Sequence, residues 1–101
     1  MKLDAAKAAE LQALLPELVY DETSRTASHV VEGQLRVLGG EPVLVVTAGT
    51  SDLPVAAEAL ETLRMCGVPA RGIYDVGVAG LHRILNHSAA LESAPAIIVC
   101  A

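Results

Sequence analysis

The sequence predicts an α/β fold built on a partial doubly wound parallel sheet, in the order strand, helix, strand, helix, strand, with an N-terminal helical leader before it. Hydrophobic residues make up 52% of the chain, but Tyr20 and Tyr74 are its only aromatic residues, so the core must be aliphatic. Apolar runs of strand length lack the alternation with polar residues that a half-solvated sheet shows. Between these runs, apolar residues recur at helical spacing.

Residues 1–40 are predicted to form the leader. Its expected elements are a helix from Asp4 to Leu15, a short strand over 17–20 and a surface loop rich in Ser and Thr over 21–29. Asp4 can cap the helix, and Pro16 ends it. The pattern over 30–38 fits either a strand or a helix, and both remain open. Two adjacent glycines then mark the start of the core domain, residues 41–101.

The core domain is predicted to contain three parallel, adjacent strands with helices packed against them. The expected strands span 42–48, 71–76 and 96–100. The expected helices run from Ser51 to Cys66 and from Gly80 onwards, the second with Leu81, Ile84 and Leu85 on its inner face. The third strand has nothing on its far side, so we expect the chain to stop within the fold and to associate with other copies.

Charge and cysteine usage argue against several classes of function. The net charge is −5 and no Lys/Arg cluster is present, so the chain lacks the basic face that nucleic acid binding requires. No apolar run approaches the roughly 20 residues that span a bilayer, and the N-terminus lacks the apolar core of a signal peptide. We therefore expect a cytoplasmic protein with no membrane partner. Cys66 and Cys100 have no CxxC neighbours, so no metal site is predicted.

The first candidate ligand segment follows the first strand of the core domain. Gly49 would permit a tight turn, and Thr50 and Ser51 offer hydroxyl groups beside the free amides of a helix start, which can hold a phosphate. Asp52 could accept hydrogen bonds from ribose hydroxyls. The pattern is neither a GxGxxG motif nor a P-loop, and the alternative, an ordinary helix cap at Ser51 or Asp52, remains open.

The second candidate segment follows the next strand and opens the next helix. Gly77 and Gly80 would let the backbone approach a ligand closely. Asp75 could act as a carboxylate acid or base or accept a ribose hydroxyl, and His82 could carry a proton. Arg83 could pair with a phosphate or carboxylate. The alternative is that the histidine and the arginine belong to the solvated face of a helix.

Two stretches of the core domain, VVTAGTSDLPVAAEA and IYDVGVAGLHRIL, resemble the pyridinium-3,5-biscarboxylic acid mononucleotide synthase family of nickel-pincer cofactor biosynthesis. The leader stretch LPELVYDETSRTA resembles the segment before that family's core domain, so the resemblance covers nearly the whole chain. The family's core domain is similar to aminoimidazole ribonucleotide carboxylase, which implies a flavodoxin-like sheet. The related carboxylases are oligomers, so the resemblance also implies a homo-oligomer.

The resemblance implies a reaction and a set of site residues. The reaction joins CO2 or bicarbonate to the pyridinium ring of nicotinic acid adenine dinucleotide and hydrolyses its phosphoanhydride, releasing AMP, with Mg²⁺ as a family-level expectation. The implied nucleotide pocket is lined by Gly49, Thr50, Ser51 and Asp52, and its second wall is formed by Asp75, Gly77, Val78, Gly80 and His82. Asp75 and His82 are the residues expected to carry out acid–base chemistry.

The chain also departs from the patterns of these families. It is expected to stop at Ala101, before the glycine-rich segment and the nucleophilic cysteine that the synthase family carries further along. The Ser-Ala-His-Arg motif of the purine carboxylases does not follow the second core strand. Two alternatives therefore stay open: an aminoimidazole ribonucleotide carboxylase or mutase, and a non-catalytic module for nucleotide binding or oligomerisation. Ligand preference would separate the two enzymes, and turnover would separate an enzyme from the module.

Overall fold

A computed structural model describes residues 2–31, 33, 35–77 and 80–101. The leader begins with helix α1, Ala5–Leu14, which confirms the predicted first helix. Its N-cap is Asp4, whose carboxylate accepts a hydrogen bond from the Lys7 N–H at 2.8 Å. The helix ends before Pro16, because a proline ring clashes with a continuing helical turn.

A β-hairpin follows this helix and corrects the predicted loop over 21–29. Strand β1, Val19–Asp21, pairs antiparallel with strand β2, Thr26–Ser28. The turn between them is held by the Asp21 carboxylate, which accepts hydrogen bonds from the N–H and the hydroxyl of Ser24 at 2.9 and 2.5 Å. The Ser- and Thr-rich run therefore contains both a turn and a strand.

The segment over 30–38 contains no helix or strand among its described residues, so neither of the two expected forms is found there. It contacts the core domain at Gly67. The N–H of Leu38 donates to the carbonyl oxygen of Gly67 at 2.6 Å. Gly67 has φ +72°, and a Cβ there would overlap the carbonyl group of Arg36. Only glycine therefore fits where the leader crosses this turn.

The core domain is a three-stranded parallel sheet with strand β3, Val43–Thr47, at its centre. Strand β4, Ala70–Ile73, and strand β5, Ile97–Cys100, lie on either side of β3, and both pair with it in parallel. The predicted α/β class and the parallel arrangement of the three strands are confirmed. β3 is almost completely buried because it is covered on both faces.

Helix α2, Leu53–Met65, follows β3 after a short 3₁₀ turn over Thr50–Asp52 and packs against β3 and β4. Pro54 lies in its first turn, where no intrahelical N–H is needed. Ala56 on its inner face is fully buried. The sequence predicts an apolar stripe on this helix, and all of its residues are buried or half-buried, so the stripe is the packing face: Leu53, Ala56, Ala57, Leu60 and Leu63.

The second predicted helix is two short helices, α3, Leu81–Leu85, and α4, Ser88–Ser93. Ile84 packs against the buried cluster of the sheet, together with residues of α4. Leu81 and Leu85, by contrast, are each 58% exposed, so their assignment to the inner face is wrong. α3 therefore turns Ile84 towards the sheet and leaves Leu81 and Leu85, its neighbours on the helix surface, largely in solvent.

The two helical layers lie on opposite faces of the sheet. Leu44 and Val46 belong to the cluster that contacts α3 and α4, and side chains alternate along a strand, so Val45 points to the other face. The strand order β4-β3-β5 leads to the same conclusion. The crossover from β3 to β4 and the crossover from β4 to β5 run in opposite directions, so two right-handed crossovers place their helices on opposite faces. No helix in the described part of the chain is both long and apolar enough to cross a membrane.

Candidate carboxyl-edge site

The carboxyl ends of β3 and β4 bring the two predicted ligand segments together. Thr47, the last residue of β3, is completely buried and connects them. Its hydroxyl accepts a hydrogen bond from the Asp75 N–H at 3.0 Å, and its carbonyl oxygen accepts one from the Val76 N–H at 3.0 Å. Thr47 was not predicted as a site residue. The available signal was a single hydroxyl residue at the end of an otherwise apolar buried strand.

The contact between the two segments is closest at Gly77. Its N–H donates to the carbonyl oxygen of Ala48 at 3.0 Å. A Cβ on Gly77 would lie 2.7 Å from that oxygen, closer than real Cβ atoms approach. Gly77 thus allows the second segment to lie directly against the backbone of the first, whereas the sequence predicted that it would approach a ligand.

Asp75 holds the second segment in an unusual conformation. Its φ is +57°, in the left-handed region that side chains other than those of glycine, asparagine and aspartate rarely adopt. Arg83 fixes this turn, since its Nη1 donates to the carbonyl oxygen of Asp75 at 2.9 Å and to the carboxylate at 2.5 Å. The two side chains are 51% and 60% exposed, so this is a surface ion pair next to the strand end.

In the first segment, Asp52 is bonded back to the start of its own turn. The Gly49 N–H donates to the Asp52 carboxylate at 3.0 Å, and the Asp52 N–H donates to the Gly49 carbonyl oxygen at 3.2 Å. Gly49 has φ −139°, an extended conformation open to any residue, so the tight turn does not depend on a glycine there. The side chains of Thr50 and Ser51 are exposed.

The remaining predicted site residues make fewer contacts with the two ligand segments or lie outside the described residues. Gly80 is half-buried, and its N–H donates to the carbonyl oxygen of Gly77 at 2.7 Å. His82 is exposed on α3, and no hydrogen bond or ion pair within the described residues holds its imidazole. Val78 lies outside the described residues. Hydrogen bonds thus join Asp75 and Gly77 to the first segment and Arg83 to Asp75, but none of those found among the described residues involves the His82 side chain.

The residues at this edge do not form a protein cage for a divalent cation. Within the described residues, no group of three or more His, Cys, Asp or Glu side chains is placed to hold a metal ion. The Asp52 carboxylate accepts the Gly49 N–H, and the Asp75 carboxylate is paired with Arg83. No preformed protein cage for the Mg²⁺ that the resemblance implies is therefore found among the described residues, although Mg²⁺ is commonly bound through one or two carboxylates together with substrate phosphates.

A cavity of about 520 Å³ lies elsewhere, between the leader and the outer side of α2 and β4. Its charged lining includes Asp21, Glu61 and Arg64. A hydrogen bond from Arg64 lowers the pKa of Glu61 below its ordinary value, and a hydrogen bond from the Ser24 hydroxyl lowers the pKa of Asp21. These charges are already satisfied within the chain, and the cavity lies away from both ligand segments.

The two cysteines lie in different places relative to the carboxyl edge. Cys66 caps the end of α2 and is exposed. Because α2 runs antiparallel to the strands, this end lies at the amino edge of the sheet. Cys100 is the last residue of β5, pairs in register with Thr47 and is half-buried. Only Cys100 is therefore near the two ligand segments.

No protein-family model matches the chain. A segment of 40 residues is 60% identical to part of an uncharacterized protein of Methanocaldococcus jannaschii. The match covers 40% of this chain and 16% of that relative, so the chain accounts for only a small part of the relative's length.

Proposed function

We propose that this chain is part of a synthase that carboxylates the pyridinium ring of nicotinic acid adenine dinucleotide and hydrolyses its phosphoanhydride, giving pyridinium-3,5-biscarboxylic acid mononucleotide and AMP. One observation carries the proposal: the two segments that resemble this family meet at the carboxyl edge, where Gly77 lies against Ala48. The strand order β4-β3-β5 is also the order 2-1-3 with which a flavodoxin-like sheet begins, and such sheets bind nucleotides in a crevice at the carboxyl edge beside their first strand, which corresponds to β3.

In this proposal the first segment binds the phosphates and a ribose. The helical run that starts at Thr50 directs free N–H groups towards the crevice, and the exposed hydroxyls of Thr50 and Ser51 add donors for a phosphate. Asp52 contributes carboxylate oxygens for ribose hydroxyls. Its bond with the Gly49 N–H uses one oxygen, so the other is the one offered to the ligand.

The second segment forms the opposite wall in this proposal. Asp75 lies at the strand end, where a carboxylate can take up or release a proton, and His82 is the nearby imidazole. Arg83 orients Asp75 through two hydrogen bonds and adds positive charge beside a dinucleotide with two phosphates. The pyridinium carbon becomes nucleophilic only after a thiolate adds to the ring, so the residues described here bind and orient the substrate.

The chemistry of the substrate sets further expectations. The ligands are nicotinic acid adenine dinucleotide and CO2 or bicarbonate, and the chain's negative charge disfavours nucleic acid as a partner. We propose that the protein is cytoplasmic. We also propose that it forms a homo-oligomer.

Calorimetric titration of the purified chain tests this function. Nicotinic acid adenine dinucleotide and AMP should both bind, whereas aminoimidazole ribonucleotide should give no heat beyond dilution. Binding of aminoimidazole ribonucleotide alone would favour the purine carboxylase or mutase. Binding of neither dinucleotide nor AMP would contradict the proposal. Binding of the dinucleotide without any turnover by a longer protein that contains this segment would favour the non-catalytic module.

A further inference from the structure

The pairing between β3 and β4 changes by one residue where the two strands end. In the parallel ladder Val43 lies opposite Ala70, and the Val43 N–H donates to the Pro69 carbonyl oxygen at 2.9 Å. Continued to the end of β3, this pattern makes the Thr47 carbonyl oxygen the acceptor for the Asp75 N–H. The structure has a different arrangement at this point.

The Asp75 N–H bonds to the side chain of Thr47 instead of its backbone. The acceptor is the Thr47 hydroxyl oxygen at 3.0 Å, and the Thr47 carbonyl oxygen accepts the Val76 N–H, also at 3.0 Å. Two consecutive residues thus pair with a single residue of β3, which is the arrangement of a β-bulge. Bulges often occur beside active sites, where the extra residue redirects a side chain. Here the extra residue is Asp75.

The backbone of Asp75 is held in the left-handed conformation from both sides. A residue with a side chain keeps a φ of +57° only where its surroundings hold it there. The Thr47 hydroxyl accepts from its N–H, and Arg83 donates to its carbonyl oxygen at 2.9 Å. Thr47 is completely buried, whereas the Arg83 side chain is 60% exposed. Because close packing fixes a buried side chain, the Thr47 hydroxyl is the more rigid of the two partners.

The hydroxyl group is what distinguishes Thr47 from the rest of its strand. The other residues of β3 are all Val or Leu. A valine at position 47 would fill the same space but would offer no side-chain acceptor. The Asp75 and Val76 N–H groups would then compete for one carbonyl oxygen, and the regular ladder bond would again be open to Asp75. The bulge therefore depends on the hydroxyl.

We propose that Thr47 is a positioning residue, whose hydroxyl holds Asp75 in the left-handed conformation and so sets the direction of its carboxylate at the carboxyl edge. This inference rests on the proposed function, in which Asp75 takes up or releases a proton beside the dinucleotide. Thr47 is completely buried and does not touch the ligand itself, so it acts through Asp75. Without the hydroxyl, Asp75 leaves the left-handed region and its carboxylate changes direction.

Nuclear magnetic resonance of the isotope-labelled chain tests the hold on Asp75 without any ligand. The cross-peak between an amide proton and the Hα of the same residue is strong where φ is positive, because the two protons then lie closer together. The wild type and Thr47→Ser should show a strong cross-peak at Asp75, and Thr47→Val should not. In Thr47→Val the amide of Asp75 or of Val76 should also exchange with solvent roughly tenfold faster, because two donors share one acceptor.

Two further variants serve as controls. Thr47→Ala differs from Thr47→Ser by the hydroxyl alone, so this pair repeats the comparison if Thr47→Val does not fold. Thr62→Val removes an exposed hydroxyl on α2, which donates to the Glu58 carbonyl oxygen at 2.9 Å. It should leave the cross-peak at Asp75 unchanged.

Calorimetry of the same variants tests whether the held conformation serves the ligand site. Thr47→Val should lower the affinity for nicotinic acid adenine dinucleotide by roughly tenfold, and Thr47→Ser should keep it within about threefold of the wild type. AMP lacks the pyridinium ring on which Asp75 would act, so its affinity should change by less than about threefold in Thr47→Val.

The two measurements separate failure of this inference from failure of the proposed function. A wild-type chain that binds no dinucleotide would contradict the proposed function, and the cross-peak at Asp75 would still decide whether Thr47 holds it. A left-handed Asp75 that persists in Thr47→Val would overturn the inference. Dinucleotide and AMP affinities that fall equally in Thr47→Val, or a dinucleotide affinity that does not fall although Asp75 has moved, would also overturn it.

Discussion

The backbone of Gly77 lies against the carbonyl oxygen of Ala48, to which it donates a hydrogen bond of 3.0 Å. This contact joins the loop after β3 to the loop after β4. Thr47 reinforces it with hydrogen bonds to the two residues that precede Gly77. The carboxyl edge is therefore a single connected unit, so a change in one loop should be transmitted to the other.

Gly77→Ala should separate the two loops. The new Cβ would lie 2.7 Å from the Ala48 oxygen, so the backbone must shift at a cost of about 1–3 kcal/mol in the free energy of unfolding. Dinucleotide affinity should fall as well. Gly39→Ala is the matched control, since nothing lies within 4 Å of a Cβ there and its stability should change by less than about 0.5 kcal/mol. Urea denaturation of both variants measures the difference, and equal stabilities would contradict the contact.

The parallel sheet could be predicted because the apolar pattern of its strands fits few other structures. The run over 42–48 is apolar at nearly every position, so it had to be covered on both faces, as β3 is. The hairpin was not predicted because Ser and Thr occur in both turns and strands. The hydrogen bond between Asp21 and Ser24 forms the turn of the hairpin, and amino-acid composition does not predict such a bond. Similarly, the exposure of Leu81 and Leu85 depends on which side of α3 faces the sheet, and the spacing of its apolar residues does not decide this.

The candidate site was predictable only in its location. Parallel strands put their carboxyl ends at one edge, so the meeting of the two segments followed from the fold. The left-handed conformation of Asp75 and its pairing with Arg83, eight residues later, depend on the path of the intervening loop. The sequence pattern left two roles open for Asp52, a ligand-binding group or a helix cap. Its hydrogen bond with Gly49 likewise depends on the local path of the backbone.

Asp52→Asn should distinguish those two roles. An asparagine oxygen can still accept the Gly49 N–H, so the free energy of unfolding should fall by less than about 1 kcal/mol. If the carboxylate also binds ribose hydroxyls, calorimetry should show a loss of roughly tenfold in dinucleotide affinity. Asp4→Asn is the matched control, because Asp4 caps α1 in the same way but lies away from the site, so the dinucleotide affinity should not change. Unchanged affinity in Asp52→Asn would leave this residue with the cap role alone.

Arg83→Ala should separate ligand binding from stability. The ion pair with Asp75 is more than half exposed, so removing it should change the free energy of unfolding by less than about 1 kcal/mol. Dinucleotide affinity and its dependence on salt concentration should both decrease if the guanidinium group lies beside the phosphates. Arg71→Ala removes an exposed charge from β4 and should leave both quantities unchanged. Equal effects of the two substitutions would indicate a general charge effect instead of a contact at the site.

The Asp21 turn should make the leader sensitive to acid. The Ser24 hydroxyl bond lowers the pKa of Asp21 from its ordinary value of 3.8, so the folded state is stabilised above that pH and loses this stabilisation as the pH falls through the lowered pKa. Ser24→Ala should flatten the decline in melting temperature between about pH 5 and pH 2. Ser93→Ala removes a hydroxyl that bonds only a carbonyl oxygen, so it should keep the wild-type profile. If the melting temperatures of Ser24→Ala and the wild type declined in parallel with falling pH, the Ser24 hydroxyl would not be the cause of the acid sensitivity.

The 101-residue chain should bind the dinucleotide without carboxylating it, because neither cysteine is placed to attack the pyridinium ring. Cys66 lies at the amino edge of the sheet, far from both ligand segments. Cys100 lies at the carboxyl edge, but it is half-buried at the end of an apolar strand beside Thr47. Incubation with the dinucleotide, labelled bicarbonate and magnesium should therefore yield neither labelled product nor AMP. Turnover that disappears in Cys100→Ser would identify Cys100 as the nucleophile, and turnover that survives removal of both cysteines would exclude a covalent mechanism through this chain's thiols.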